Sequence, residues 1–303
     1  MSKLKILGLI PILIMLTLIV MWFLLINIDE PQRVYTWYLL RKLMRIVGFI
    51  FLIGSLVYIL LKKLPRTVLT PLTMLLAIIS ILFPMLTKRF GMAYPASLEN
   101  TAPNLTIRLP LDEKAIISWG GNSVKTNYHA AYPNQRWAYD LVVEPHSMRS
   151  KNLEDYGCFG KTVIAPISGK ILKVINSDPD QIPSQKLTPP SNVFGNHVLI
   201  QPNGTEHKLL IAHMKKDSIV VAKNDVITEG QAIGQCGNSG NTSEPHIHIH
   251  YAQTQQAKNG LYYTTGLPLY FRNHGGNPMP IGGFKRKGGM IIWLNEGVQH
   301  IQK

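Results

Sequence analysis

Residues 239–252 read SGNTSEPHIHIHYA, with histidines at 246, 248 and 250 and isoleucines at 247 and 249 between them. Alternate side chains of a β-strand share a face, so this spacing predicts a strand with His246, His248 and His250 on one side and Ile247 and Ile249 on the other. The isoleucine face suits a core. A row of imidazoles admits two readings: a solvated sheet face, or the donors of a metal ion. A catalytic zinc site takes three protein ligands and keeps one position open, so the choice turns on what else the chain offers.

Two other segments offer matching chemistry. NYHAAYPNQRWAYDLVV (127–143) holds His129 and Asp140, the aspartate within an apolar run that reads as a buried strand. A buried carboxylate without a counterion is costly, which leaves Asp140 facing either an Arg or Lys or a metal. LLIAHMKKDS (209–218) places His213 at the end of another apolar run. Two cysteines, Cys158 and Cys236, are too few for a thiolate-built zinc site, and whether they pair stays open.

Around these segments the pattern is β. Short Val/Ile-rich runs alternate with turn residues, as in KTVIAPISGKILKVI (161–175), two strands about a Pro-Ile-Ser-Gly turn, and NHVLIQPNGTEHKLLIAHM (196–214), a hairpin. No stretch here sustains a long amphipathic helix. Residues 116–255 are expected to form a mainly antiparallel β-domain, entered by a Pro/Asn/Thr-rich linker (90–115) and followed by a Gly-rich extension (256–303) with no assigned role. The Pro-rich stretch 176–195 is long for a loop inside a compact domain, which fits either function or disorder.

The 303-residue chain carries a formal charge of +14, and residues 1–66 supply half of that excess: nine Lys/Arg against Asp29 and Glu30. These cations flank apolar runs, a pattern of membrane topology rather than of nucleic-acid binding, and no nucleic-acid partner is expected. Three runs read as membrane spans within residues 1–89: about 6–28, 46–62 and 67–87. The first has no small-residue cleavage site after it and is not read as a signal peptide. No Asp, Glu or His lies inside the spans, so anchoring in a lipid bilayer is expected rather than transport. Lys3, Lys5, Lys62, Lys63 and Arg66 favour a cytoplasmic N-terminus, while Arg33, Arg41, Lys42 and Arg45 pull the other way. Three spans put the chain ends on opposite sides, so an inside N-terminus leaves residues 90–303 outside.

Taken together and in order, KTVIAPISGKILKV, GNHVLIQ, LLIAHM and GNSGNTSEPHIHIH make residues from about 118 to 252 resemble the lysostaphin-type, or LytM-like, zinc metallopeptidases, which cut the peptides of bacterial cell walls. The resemblance implies a Zn2+ ion held by His129, Asp140 and His248, with His213 and His246 as catalytic histidines. It implies peptidoglycan peptides as substrate; with the three spans, the expectation is a multi-pass bacterial membrane protein whose C-terminal domain is extracytoplasmic. Ten residues separate His129 from Asp140, where the common family spacing has three; a loop through Tyr132-Pro133-Asn134 could return both to one metal, and His146 is the alternative first ligand. His250, His197 and His207 are expected to be supporting or surface residues, and Glu244 to face outward. A family member without activity, serving as a wall-binding scaffold or activator, is the alternative reading.

Overall fold

The computed structural model describes residues 3–30, 32–61, 69–147, 149–185, 192–256, 262–287, 290–294 and 296–301. It divides into two compact units, Met1–Pro95 and Ala96–Lys303.

The first unit is helical: α1 (Lys3–Leu24), α2 (Gln32–Leu60) and α3 (Leu69–Arg89). All three are long and apolar enough to cross a membrane. The second helix begins well before the apolar run expected at 46–62 and takes in Arg33, Arg41, Lys42 and Arg45. Arginine and lysine are good helix formers, so charge ends the apolar run without ending the helix. Aromatic rings join the three helices, Trp22 lying 6.1 Å from Trp37 and 5.6 Å from Phe83. At Gly48 the helices touch: a Cβ there would sit 2.8 Å from the Ala77 carbonyl oxygen on α3. Residues 62–68, with the cations Lys62, Lys63 and Arg66, lie outside the described residues.

The second unit is built from strands β1 (Leu105–Ile107), β2 (Ala115–Trp119), β3 (Tyr139–Val143), β4 (Thr162–Ile164), β5 (Gly169–Ile175), β6 (Asn196–Pro202), β7 (Lys208–Met214), β8 (Val226–Ile227), β9 (Ala232–Gln235), β10 (Ile247–Gln256), β11 (Tyr262–Leu267), β12 (Leu269–Phe271), β13 (Phe284–Lys287), β14 (Met290–Trp293) and β15 (Gly297–Val298). Among the described residues, nine strands form one sheet in the order β15-β2-β3-β10-β7-β6-β5-β8, with β11 also paired to β10. The β6–β7 hairpin forms as the sequence predicts, through antiparallel pairing of Val198 with Ile211 and Ile200 with Leu209. Strands β4 and β5 both form but do not pair with each other: β4 joins β9, and β5 joins β6 and β8. A turn of Pro-Ile-Ser-Gly therefore moves the chain between sheets.

Two flanking segments are more structured than expected. The stretch 90–115 contains β1, which pairs in parallel with β12, and the end of the chain supplies β11 to β15. The Gly-rich extension thus completes sheet edges, β15 pairing with β2 and β11 with β10.

Strand β10 explains the period of two. Its Ile249 lies opposite Tyr139 of β3 and Ile211 of β7, and Ile247 lies opposite Leu141, making a solid apolar face. All five of these side chains are fully buried, each contributing about 1.5–3 kcal/mol of transfer free energy where the chain is aliphatic. On the other face His248 stands directly opposite Asp140 and Ala212. That face is buried too, with His248 only 2% exposed, so the solvated-face reading does not hold.

Candidate functional site

Three elements bring the candidate residues together. Asp140 on β3 and His248 on β10 are cross-strand neighbours, and His248 Nδ1 lies 2.8 Å from Asp140 Oδ1. His129 arrives on a pair of 3-10 turns, Tyr128–Ala131 and Pro133–Gln135. Asn127 closes this loop: its side-chain oxygen accepts from the His129 amide, and its Nδ2 donates to the carbonyls of Gly121 and Ala138. The ten-residue spacing is thereby folded back, and His129 Nε2 ends 2.9 Å from Asp140 Oδ2. One ligand atom from each of His129, Asp140 and His248 lies within 4.8 Å of the others, all three residues being buried. His146 is held by Glu144, at 3.5 Å, and Ser147, outside this cluster.

The donor chemistry fits a divalent cation. His129 Nδ1 lies 2.8 Å from the Gln135 side-chain oxygen, which only accepts, so Nδ1 donates there and Nε2 faces the carboxylate. Two lone pairs at 2.9 Å repel, so this gap holds either a second ring proton, through which the metal-free His129 bonds the carboxylate, or a metal cation. Asp140 is 4% exposed, and the basic side chains within 4 Å of its carboxylate among the described residues are those of His129, His246 and His248. Burial pushes the Asp140 pKa up, yet His129, His246 and the hydrogen bonds from His129 and His248 hold it well below the ordinary carboxylate value. Burial drives the His248 pKa down to about 4, so that ring is neutral and available as a ligand near pH 7.

His213 and His246 flank the cluster, their ring centroids 4.7 Å apart. Each has its Nδ1 fixed by a backbone carbonyl: Ser239 O accepts from His213 at 2.8 Å, and Glu244 O accepts from His246 at 2.8 Å. A carbonyl cannot donate, so each ring donates from Nδ1, and in its neutral form carries an unshared pair on Nε2. Burial, followed by the neighbouring His246 and His248, holds the His213 pKa well below its ordinary value. His213 also adopts a left-handed backbone (φ 62°), a conformation that costs a non-glycine residue about 1 kcal/mol or more. Two glycines make room for the carbonyl that holds it. At Gly195 (φ 57°) a Cβ would lie 2.3 Å from the Ser239 carbonyl carbon, and at Gly240 (φ 83°) one would lie 2.3 Å from the Gly195 nitrogen.

Two cavities of about 280 Å³ each open on the cluster. The first reaches Asp140 and His246 between Trp119, Thr242 and Glu244; the second reaches His129, His213 and His248 between Tyr132, Val193 and Phe194. Tyr128 and Asn241 line both. Val193 and Phe194 belong to the 176–195 stretch, whose residues 186–191 lie outside the described residues. Glu244 does not face outward as expected: it is half-buried on the first cavity, its carboxylate accepting from the Ser147 amide at 2.6 Å.

Several contributors are silent in the sequence. Tyr128 donates to Asp140 Oδ2 over 3.4 Å, and Gln135 orients His129, yet neither sits in a recognisable pattern. Cys158 and Cys236 form a disulfide, both buried. His197 is turned to the Gly195 carbonyl, and His207 stacks edge-on against Tyr251, neither reaching the cluster. His250 is buried behind His248.

A two-histidine, one-aspartate cluster on an antiparallel sheet, flanked by two further histidines, is a candidate metal centre. The model of peptidase family M23 matches residues 152–260, less than half of the chain. That span includes His213, His246 and His248 and stops short of His129 and Asp140. Among solved structures, a zinc-containing peptidase from Vibrio cholerae is 22% identical, covering 48% of this chain and 35% of that one at a TM-score of 0.31. The antimicrobial peptidase lysostaphin from Staphylococcus simulans is 20% identical, covering 43% of this chain and 42% of that one at a TM-score of 0.28. The chain thus spans less than half the length of either structure. No curated protein matches the chain.

Proposed function

We propose that this chain is a membrane-anchored, zinc-dependent endopeptidase that hydrolyses peptide bonds of bacterial cell-wall peptidoglycan. The observation that carries the reading is the convergence of His129, Asp140 and His248 beside two histidines whose Nε2 lone pairs are free for proton transfer. The match of residues 152–260 to the model of peptidase family M23 supports the reaction, and the His129–Asp140–His248 cluster supports the metal.

In this reading His129, Asp140 and His248 hold the zinc ion, an Asp–His₂ donor set that leaves a coordination position open. Zinc, when bound, polarises the scissile carbonyl and acidifies water. Of the two flanking histidines, one takes the proton of the attacking water at Nε2. That same histidine then returns the proton to the leaving amine, while the other, protonated at Nε2 from solvent beforehand, holds the oxyanion by donating to it. The two cavities receive the peptide on either side of the cluster, and Trp119, Tyr132 and Phe194 supply apolar walls.

Anchoring rests on the three apolar helices. The disulfide between Cys158 and Cys236 favours an oxidising compartment, and hence an extracytoplasmic C-terminal domain where the wall lies. To test the whole reading, the full chain is purified in detergent, loaded with zinc and incubated with isolated walls. Mass spectrometry should then show wall peptides with new amine ends, absent after chelation. A folded, zinc-loaded chain that releases none would overturn the hydrolase reading in favour of a wall-binding scaffold.

A further inference from the structure

Of the three alternating histidines at 246, 248 and 250, two have roles in the proposed site and the third is unexplained. His250 is 6% exposed and sits on the same sheet face as His248. Its Nδ1 lies 2.9 Å from His248 Nε2, the nitrogen of His248 that faces away from Asp140. The ring is packed under Phe194, with centroids 5.6 Å apart, while Phe194 also lies 6.0 Å from the His248 ring. His250 therefore stands behind a candidate ligand, not beside the ion.

Resting on the proposed metal site, we propose that His250 is a positioning residue: through its Nδ1 it fixes the ring orientation and tautomer in which His248 presents Nδ1 to the metal. The chemistry follows from the heavy-atom chain Asp140 Oδ1, His248 Nδ1, His248 Nε2 and His250 Nδ1, whose two gaps are 2.8 and 2.9 Å. Without a metal, His248 donates from Nδ1 to the carboxylate, so its Nε2 must accept and His250 donates from Nδ1. When a metal takes the Nδ1 lone pair of His248, the ring proton must sit on Nε2, and His250 Nδ1 must accept it. One proton leaves at His248 Nδ1 and one enters at His250 Nε2, so both rings stay neutral and no atom has to move far. A carboxylate at position 250 could serve only the second state. An imidazole serves both, because its tautomers exchange donor for acceptor at the same atom. Groups that orient a metal-bound histidine typically change metal affinity 10- to 100-fold when removed.

The test uses the full chain in detergent micelles and two readouts. In the first, zinc affinity is measured by competition with a chelator for wild type, His250→Leu and His250→Asn. Leucine fills the space without a polar atom, whereas the asparagine side-chain oxygen occupies nearly the place of Nδ1. His250→Leu should weaken zinc binding on the order of 10- to 100-fold, and His250→Asn should restore most of the loss. In the second, nitrogen-15 spectra of labelled histidines report each ring's tautomer. On zinc loading, His248 and His250 should both change from the Nδ1–H to the Nε2–H form. Equal zinc affinity in His250→Leu, equal weakness in the Leu and Asn variants, or an unchanged His250 tautomer each overturns the proposal. Should His250→Leu fail to fold, the wild-type spectra decide alone. A wild-type chain that takes no zinc removes the metal site itself, and this role with it; a wild type that loads while His250→Leu loads equally well removes only this role.

Discussion

The two faces of β10 differ by one residue of register and by everything in how they are specified. On one face Ile247 and Ile249 meet Leu141, Tyr139 and Ile211 in contacts any aliphatic side chain of similar volume could make. On the other, His248 and its neighbours His213 of β7 and His246 just before the strand are each met by one named atom: Asp140 Oδ1 for His248, Ser239 O for His213, Glu244 O for His246. The apolar face is redundant and the polar face is not. Substitutions on the first should change stability and leave chemistry alone, and substitutions on the second should do the reverse.

The largest separation is expected at His248. Replacing it with alanine removes one of three ligands, so bound zinc should fall from about one per chain to near none, while far-UV circular dichroism keeps its β-sheet signature. Retained zinc in a folded His248→Ala chain would break the contrast at its centre. Next come the flanking histidines. His246→Ala and His213→Ala should each keep zinc and lower kcat on the order of 10²- to 10⁴-fold, read by release of wall peptides. Loss of zinc in either variant would move that residue into the ligand set.

On the opposite face, Ile249→Ala should cost about 2–5 kcal/mol and Ile249→Val about 0.5–1.5 kcal/mol, measured by urea unfolding of the metal-free chain. Zinc stoichiometry should be unchanged in both. A loss of zinc without loss of stability would mean that the two faces are coupled through the strand. Smallest is Tyr128→Phe. Its hydroxyl reaches Asp140 only at 3.4 Å, so zinc affinity should shift by about 1 kcal/mol or less. A larger loss would make the phenol part of the grip on the carboxylate.

The same contrast explains what could be read from the sequence. Period-two alternation over 246–250 gives the strand and both of its faces, because side-chain direction in a strand depends only on parity. The apolar flanks of Asp140 and His213 place both on buried strands, and the helices that could cross a membrane follow from run length. Contacts that depend on loop closure were not visible. Gln135 orients His129, and Asn127 folds the 3-10 turns, through hydrogen bonds that no periodicity marks. The Gly-rich end reads as an appendage because β15 is two residues long, yet it pairs with β2 across most of the domain's length of chain. The long α2 helix shows the converse limit: an apolar run measures what a bilayer would cover, whereas the hydrogen-bonded helix continues through Arg45, Lys42 and Arg33.

One centre made of two imidazoles and one carboxylate underlies every functional statement above. X-ray absorption at the zinc edge of the full-length chain tests it most directly. A first shell of two histidine nitrogens, near 2.0–2.1 Å, and a single aspartate oxygen with one further light atom is the expected result. A shell containing sulfur, or one with no histidine scattering, would contradict a site built from His129, Asp140 and His248.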